Sequence, residues 1–123
     1  MAQTRPNILF IFTDQQRADT LGCYGQSLEV SPNIDRLAAR GVRFENAFTC
    51  QPVCGPARSC LQTGLYATQT TVFTNGRVLP ADLSTLAHQF GDAGYDTAYI
   101  GKWHLADTNV VPEGQRGGYQ YWL

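Results

Sequence analysis

The chain has 123 residues, enough for one small domain and too few for two. A formal net charge of −1 and a pI near 6.0 give no electrostatic case for nucleic acid or an anionic membrane surface, and no apolar run approaches the length of a membrane span. Charged residues make up 15%, against a usual share of about 25%, so such a chain should need covering by something else. The basic residues are eight arginines and a single lysine, which makes the position of that lysine informative.

Four cysteines are present, Cys23, Cys50, Cys54 and Cys60. A secreted disulfide framework would require export. Ile8 to Phe12 is too short for the apolar part of a signal peptide, and no small-residue cleavage site follows. The expectation is therefore a cytoplasmic chain with reduced thiols, with periplasmic or secreted placement left open. A zinc site from Cys50, Cys54 and Cys60 matches no common ligand spacing and has no histidine close by.

Arg5-Pro6-Asn7 leads into Ile8 to Thr13, a continuous apolar run rich in β-branched and aromatic residues. Such a run reads as a strand buried on both faces, as in a parallel sheet covered by helices. It ends at Asp14-Gln15, where a polar group beyond a strand's carboxyl end is placed to meet a ligand. Both side chains offer hard oxygen donors suited to Ca²⁺ or Mg²⁺, although a carboxylate that merely caps the next turn is equally ordinary chemistry. Ser31-Pro32 predicts a helix with Ser31 as N-cap, an apolar face of Ile34, Leu37 and Ala38, and a stop at Gly41. Val42 to Phe48 alternates and predicts a second strand running into a loop of Cys, Pro and Gly.

Cys54 to Gly64 is the most informative stretch. It predicts a helix whose entrance carries a thiol among unpaired backbone N–H groups, with Arg58 about one turn further in. A nucleophile, an anion-binding helix start and a permanent cation are what attack on a sulfate or phosphate group requires. Leu61 is expected to face the core, with Ser59 and Gln62 turned elsewhere and Cys60 as a small buried hydrophobe. A cysteine-phosphatase loop needs Arg where Cys60 stands, which argues against thiol phosphatase chemistry.

Thr74-Asn75-Gly76 reads as a turn. Leu83, Leu86, Ala87 and Phe90 predict a third helix, capped by Asp82 or Ser84 and ended near Gly94, with His88 off the apolar stripe and in solvent. Thr97 to Ile100 predicts a short strand, and beyond its end stand Lys102 and His104, two apart and so on one side of an extended segment. Alone they are a surface lysine and a core or capping histidine. The order strand, helix, strand, helix, helix, strand implies an α/β domain with a largely parallel sheet.

Four of these stretches resemble the formylglycine-dependent sulfatases of the alkaline-phosphatase-like superfamily. Cys54, Pro56, Arg58, Leu61, Thr63 and Gly64 match the family signature Cys-x-Pro-x-Arg-x-x-Leu-x-Thr-Gly. Gly101-Lys102-Trp103-His104-Leu105 matches a second signature, and Arg5 to Asp14 resembles the family's opening strand, whose final Asp binds metal. Ser31 to Ala38 also resembles a structural segment of the family. Many members carry a second Asp where this chain has Gln15, as some sulfatases and the related phosphonate monoester hydrolases do.

The resemblance implies the N-terminal part of an alkaline-phosphatase-like α/β sandwich with a largely parallel central sheet, covering residues 1–123 as an incomplete segment of a longer catalytic domain. It implies that a formylglycine-generating enzyme oxidises Cys54 to formylglycine (3-oxoalanine), whose hydrate attacks sulfur in line to form a sulfated intermediate. The remaining hydroxyl would then expel sulfate. Arg58, Lys102 and His104 are implied as catalytic residues, with Lys102 also contacting the sulfate and Asn75 facing the substrate. A divalent metal, Ca²⁺ first and Mg²⁺ or Mn²⁺ as alternatives, would be held partly by Asp14, Gln15 and residue 54. The implied partner is a small-molecule or saccharide sulfate ester, with no nucleic acid and no membrane. Two other functions are expected to compete with this one: a phosphonate monoester or phosphodiester hydrolase with the same modified residue, and a non-catalytic truncated product. The family's remaining ligands lie beyond these residues, so the chain alone is expected to hold metal weakly and not to turn over.

Overall fold

The computed structural model describes residues 5–123, which fall into two compact units, one running to Ala47 and one from Phe48 to Leu123. Each is built differently.

In the first unit, 3₁₀ turns at Ala18–Thr20 and Gly22–Tyr24 precede helix α1, Pro32–Ala38. Ser31 is the N-cap residue and Pro32 starts the helix, as predicted, because proline's missing N–H costs nothing in a first turn. The Ser31 hydroxyl, however, does not cap α1. It donates to the Asp35 carboxylate and accepts from Gly22 N–H at 2.8 Å, while Cys23 N–H donates to Asp35 Oδ1 at 2.7 Å. One serine and one aspartate thus fasten the 3₁₀ turn to the helix entrance. Tyr24 donates its hydroxyl to the Phe44 carbonyl at 2.7 Å, and the Arg43 guanidinium lies over the Tyr24 ring.

The two strands predicted in Ile8–Thr13 and Val42–Phe48 are not formed. Neither segment belongs to a ladder, and its apolar side chains are exposed, Leu9 at 84% and Val42 at 81%. The β-conformation draws its stability from a neighbouring strand and from cross-strand side chains, and neither segment has such a partner among the described residues.

The second unit holds helices α2 (Cys54–Thr63), α3 (Ala67–Thr70) and α4 (Leu86–Asp92), and strands β1 (Ala98–Tyr99) and β2 (Tyr121–Trp122). β1 and β2 pair in parallel, with Ala98 opposite Tyr121 and Tyr99 opposite Trp122. β2 was not expected from its sequence; it follows the loop that ends at Gly118. The core is Val72, Leu79, Trp103 and Leu105, flanked by Tyr99, Tyr119 and Trp122.

α4 is capped by Thr85 rather than by Asp82 or Ser84. The Thr85 hydroxyl accepts from His88 N–H, and Thr85 N–H donates to His88 Nδ1 at 3.2 Å. His88 is therefore a half-buried capping partner and not a solvated side chain. α2 also departs from expectation. Ser59 is fully buried and Gln62 is 6% exposed, whereas Leu61 is only half-buried. Polar contacts explain the inversion: Ser59 donates to the Pro56 carbonyl at 2.8 Å and shares a hydrogen bond with Thr70, and Gln62 accepts from the Tyr119 hydroxyl at 2.9 Å. Gly64 ends α2 at φ 71, its N–H reaching the Cys60 carbonyl at 2.8 Å, a left-handed cap that any Cβ would strain.

Candidate active site

Cys54 is the first residue of α2, and the residue before it, Val53, offers no side-chain cap. The cap comes from Asn75, in a turn 21 residues away from Cys54. Its Oδ1 accepts from Gly55 N–H at 2.9 Å and from the Cys54 thiol at 3.4 Å. One of the helix's unpaired donors is thereby satisfied and the residue 54 side chain is given a direction. A Cβ on residue 55 would lie 2.9 Å from Asn75 Oδ1, so the glycine permits this approach. The turn predicted at Asn75-Gly76 is present as well, with Gly76 at φ 80. Asn75 therefore does both jobs.

Arg58 lies one turn into α2 and is 6% exposed. Its Nη1 donates to the Lys102 carbonyl at 2.6 Å and to the Tyr99 hydroxyl at 3.4 Å. The guanidinium thus ties the first turns of α2 to the Gly-Lys-Trp-His segment. His104 is held at φ 59, a left-handed backbone that is costly for a residue with a Cβ. Its carbonyl lies 3.6 Å from where a residue 55 Cβ would stand. The buried His104 Nδ1 has no hydrogen-bond partner among the described residues. A buried ring nitrogen left in that state costs free energy unless something outside the chain meets it. Lys102 is exposed.

Hydrogen bonds within the second unit thus link Asn75 to Cys54 and Gly55 at the start of α2, and link Arg58 of the same helix to Lys102, while the His104 carbonyl lies beside Gly55. Asp14 and Gln15 belong to the first unit, where both are exposed and Gln15 adopts φ 56. Among the described residues no group of three or more His, Cys, Asp or Glu side chains could hold a metal ion. An open recess of about 480 Å³ in the first unit is lined by Cys23, Asp35 and Arg43 among others, and by none of these site residues.

Cys60 is half-buried rather than fully enclosed. Burial pushes its thiol above the ordinary cysteine range, and a hydrogen bond with Cys50 adds to the shift. The residue that sequence reasoning missed is Tyr99, which donates its hydroxyl to the Lys102 carbonyl at 2.5 Å. Its target is a backbone oxygen, which no side-chain pattern reveals.

The sulfatase family model matches residues 6–123. The chain is 52% identical over 111 residues to the uncharacterized sulfatase YidJ of Escherichia coli K12, covering 90% of this chain and 22% of that protein. It is 37% identical over 118 residues to an N-acetylglucosamine-6-O-sulfatase of Bacteroides thetaiotaomicron, covering 96% of this chain and 20% of that one. Among solved structures, one in complex with its substrate D-glucosamine-2-N,6-O-disulfate superposes with a TM-score of 0.84 at 36% identity, over 97% of this chain and 23% of that chain. The phosphonate monoester hydrolase of Agrobacterium radiobacter gives 0.81 at 33%, over 97% and 26%. The chain thus spans about a fifth of the length of the curated relatives it matches. Its parallel pair and flanking helices fit the alkaline-phosphatase-like α/β class of those sulfatase structures. The chain belongs to the sulfatase family.

Proposed function

We propose that this chain carries the nucleophile region of a sulfuric ester hydrolase, with Cys54 converted to formylglycine by a formylglycine-generating enzyme. The thiol sulfur marks where the oxygens of the modified residue would stand. As the aldehyde hydrate, residue 54 would supply the oxygen nucleophile that attacks sulfur. The observation that best supports this is the 2.6 Å bond from Arg58 to the Lys102 carbonyl, since it brings the two signature segments into one site.

Each remaining residue has a task that its placement suits. Arg58, buried and permanently charged, would stabilise negative charge on residue 54. Asn75 would hold the side chain of residue 54 at the helix entrance and present its amide toward substrate. Lys102 would neutralise charge on the transferring group, and the unpartnered Nδ1 marks His104 as a group with capacity to bond and to take up a proton. Asp14 and Gln15 fit a hard divalent cation in donor type, Ca²⁺ first, and would supply part of the roughly six to eight oxygens it takes. Such an ion would polarise the sulfate oxygens and favour ionisation of the hydrate.

The substrate class is a sulfate ester, with sulfated saccharides to be tried first because relatives carry such names. A phosphonate monoester is the rival substrate, favoured by Gln15 and by the solved hydrolase of that activity. The test is hydrolysis of an aryl sulfate and an aryl phosphonate monoester by the full-length protein and its Cys54→Ala variant. Sulfate cleavage that falls on the order of 1,000-fold or more in the variant is expected. Undiminished cleavage would overturn the nucleophile assignment, and a preference for the phosphonate would overturn the substrate class.

A further inference from the structure

Tyr99 ends β1, and its ring is held on three sides. The Trp122 ring stacks on it at 5.0 Å between centroids, Trp103 meets it edge-on at 5.0 Å, and Tyr119 leans on it at 5.2 Å. Aromatic rings so enclosed have little rotational freedom, so the hydroxyl has a fixed position. That hydroxyl donates to the Lys102 carbonyl at 2.5 Å. Arg58 Nη1 donates to the same carbonyl at 2.6 Å and to the hydroxyl at 3.4 Å. The three groups close a triangle in which one carbonyl oxygen receives two donors and one guanidinium nitrogen serves two acceptors.

This triangle sits at the peptide between Lys102 and Trp103, just before His104 takes its left-handed turn. Fixing that peptide fixes where the Lys102 and His104 side chains leave the backbone. It also fixes the guanidinium end of Arg58, whose other end is set by α2. Burial pushes the Tyr99 hydroxyl above the usual tyrosine range, with Arg58 pulling in the opposite direction. The group is consequently protonated, and able to donate, throughout neutral pH.

We propose that Tyr99 is a positioning residue that locks the Arg58 guanidinium to the Lys102 peptide and so sets the geometry of the hydrolytic site. The catalytic consequence rests on the sulfatase reading above, whereas the lock itself does not. Tyr99→Phe removes the hydroxyl and keeps the ring; Tyr99→Leu removes both. Two readouts are taken. Solvent exchange of the Arg58 guanidinium hydrogens, followed by NMR on labelled chain, is expected to quicken about tenfold in the Phe variant. In the full-length protein kcat for an aryl sulfate is expected to fall about tenfold with KM within about threefold, while the unfolding midpoint stays near the parent's. A role in packing alone predicts the opposite pattern, with Phe equal to the parent in both readouts and only Leu impaired. That pattern overturns the proposal. A parent protein without hydrolase activity sinks the sulfatase reading and the catalytic consequence together, and the exchange rate still decides whether Tyr99 holds Arg58.

Discussion

Residue 54 brings a thiol, but its direction comes from Asn75, which meets both the thiol and the N–H of Gly55, the second residue of the helix. The same division between chemistry and placement holds at Lys102. Its carbonyl is anchored by Arg58 and Tyr99, while its side chain is exposed. If that ammonium neutralises the transferring group, Lys102→Ala lowers kcat roughly 100- to 1,000-fold in the full-length protein, measured on an aryl sulfate. Lys102→Arg restores little, because a planar fork replaces a compact point charge. An alanine variant within about threefold of the parent would remove Lys102 from the reaction. Cys54 and Arg58 were picked out as candidates by their place at a helix start, Lys102 and His104 only through the motif that they share with a known family. Asn75 was legible only in part, since Asn-Gly is also ordinary turn chemistry. Tyr99 was not legible at all, because it works through a backbone oxygen.

Three of the four helices were expected and α3 was not; the N-cap position of α1 was found at Ser31, whereas the cap of α4 was not. For α4 the sequence offers Asp82, Ser84 and Thr85 within four residues, and any of them can cap. Thr85 prevails because its hydroxyl also donates to the Gly117 carbonyl at 2.5 Å, tying the helix start to a loop 32 residues on. Thr85→Ala should therefore cost about 1–2 kcal/mol in urea denaturation, at the upper end for a cap, since a carbonyl loses its donor too. A loss below about 0.5 kcal/mol would mean that Asp82 or Ser84 can take over. The inverted face of α2 has a similar cause. Apolar patterning placed Leu61 inward, but Ser59 and Gln62 find partners in Thr70 and Tyr119, and a satisfied polar group can be buried. Those partners are 11 and 57 residues away, beyond the reach of a local pattern. Strand expectations at Ile8–Thr13 and Val42–Phe48 failed for the same reason: strand formation depends on a neighbour that composition does not specify.

Across the molecule the fold class was legible and the sheet was not. Alternating element types predicted α/β architecture, and the parallel pairing of β1 with β2 agrees, although β2 lies in a stretch to which no element was assigned from the sequence. The second unit gathers its stability around the ring cluster of Tyr99, Trp103, Tyr119 and Trp122. This gives its stability a pH dependence. Burial raises the hydroxyls of Tyr99 and Tyr119 above the ordinary tyrosine value. A raised folded-state pKa contributes stability that is fully present below that ordinary value, about pH 10, and is lost as pH climbs through the raised one. Urea midpoints should stay level up to about pH 9 and decline above about pH 10, less steeply in Tyr99→Phe. A flat profile to about pH 12 would contradict the partial desolvation of these hydroxyls. The central claim concerns residue 54, and mass spectrometry of the tryptic peptide spanning it tests that claim most directly, on protein purified from its natural source. The account predicts the aldehyde of formylglycine at position 54, and an unmodified cysteine there would contradict it.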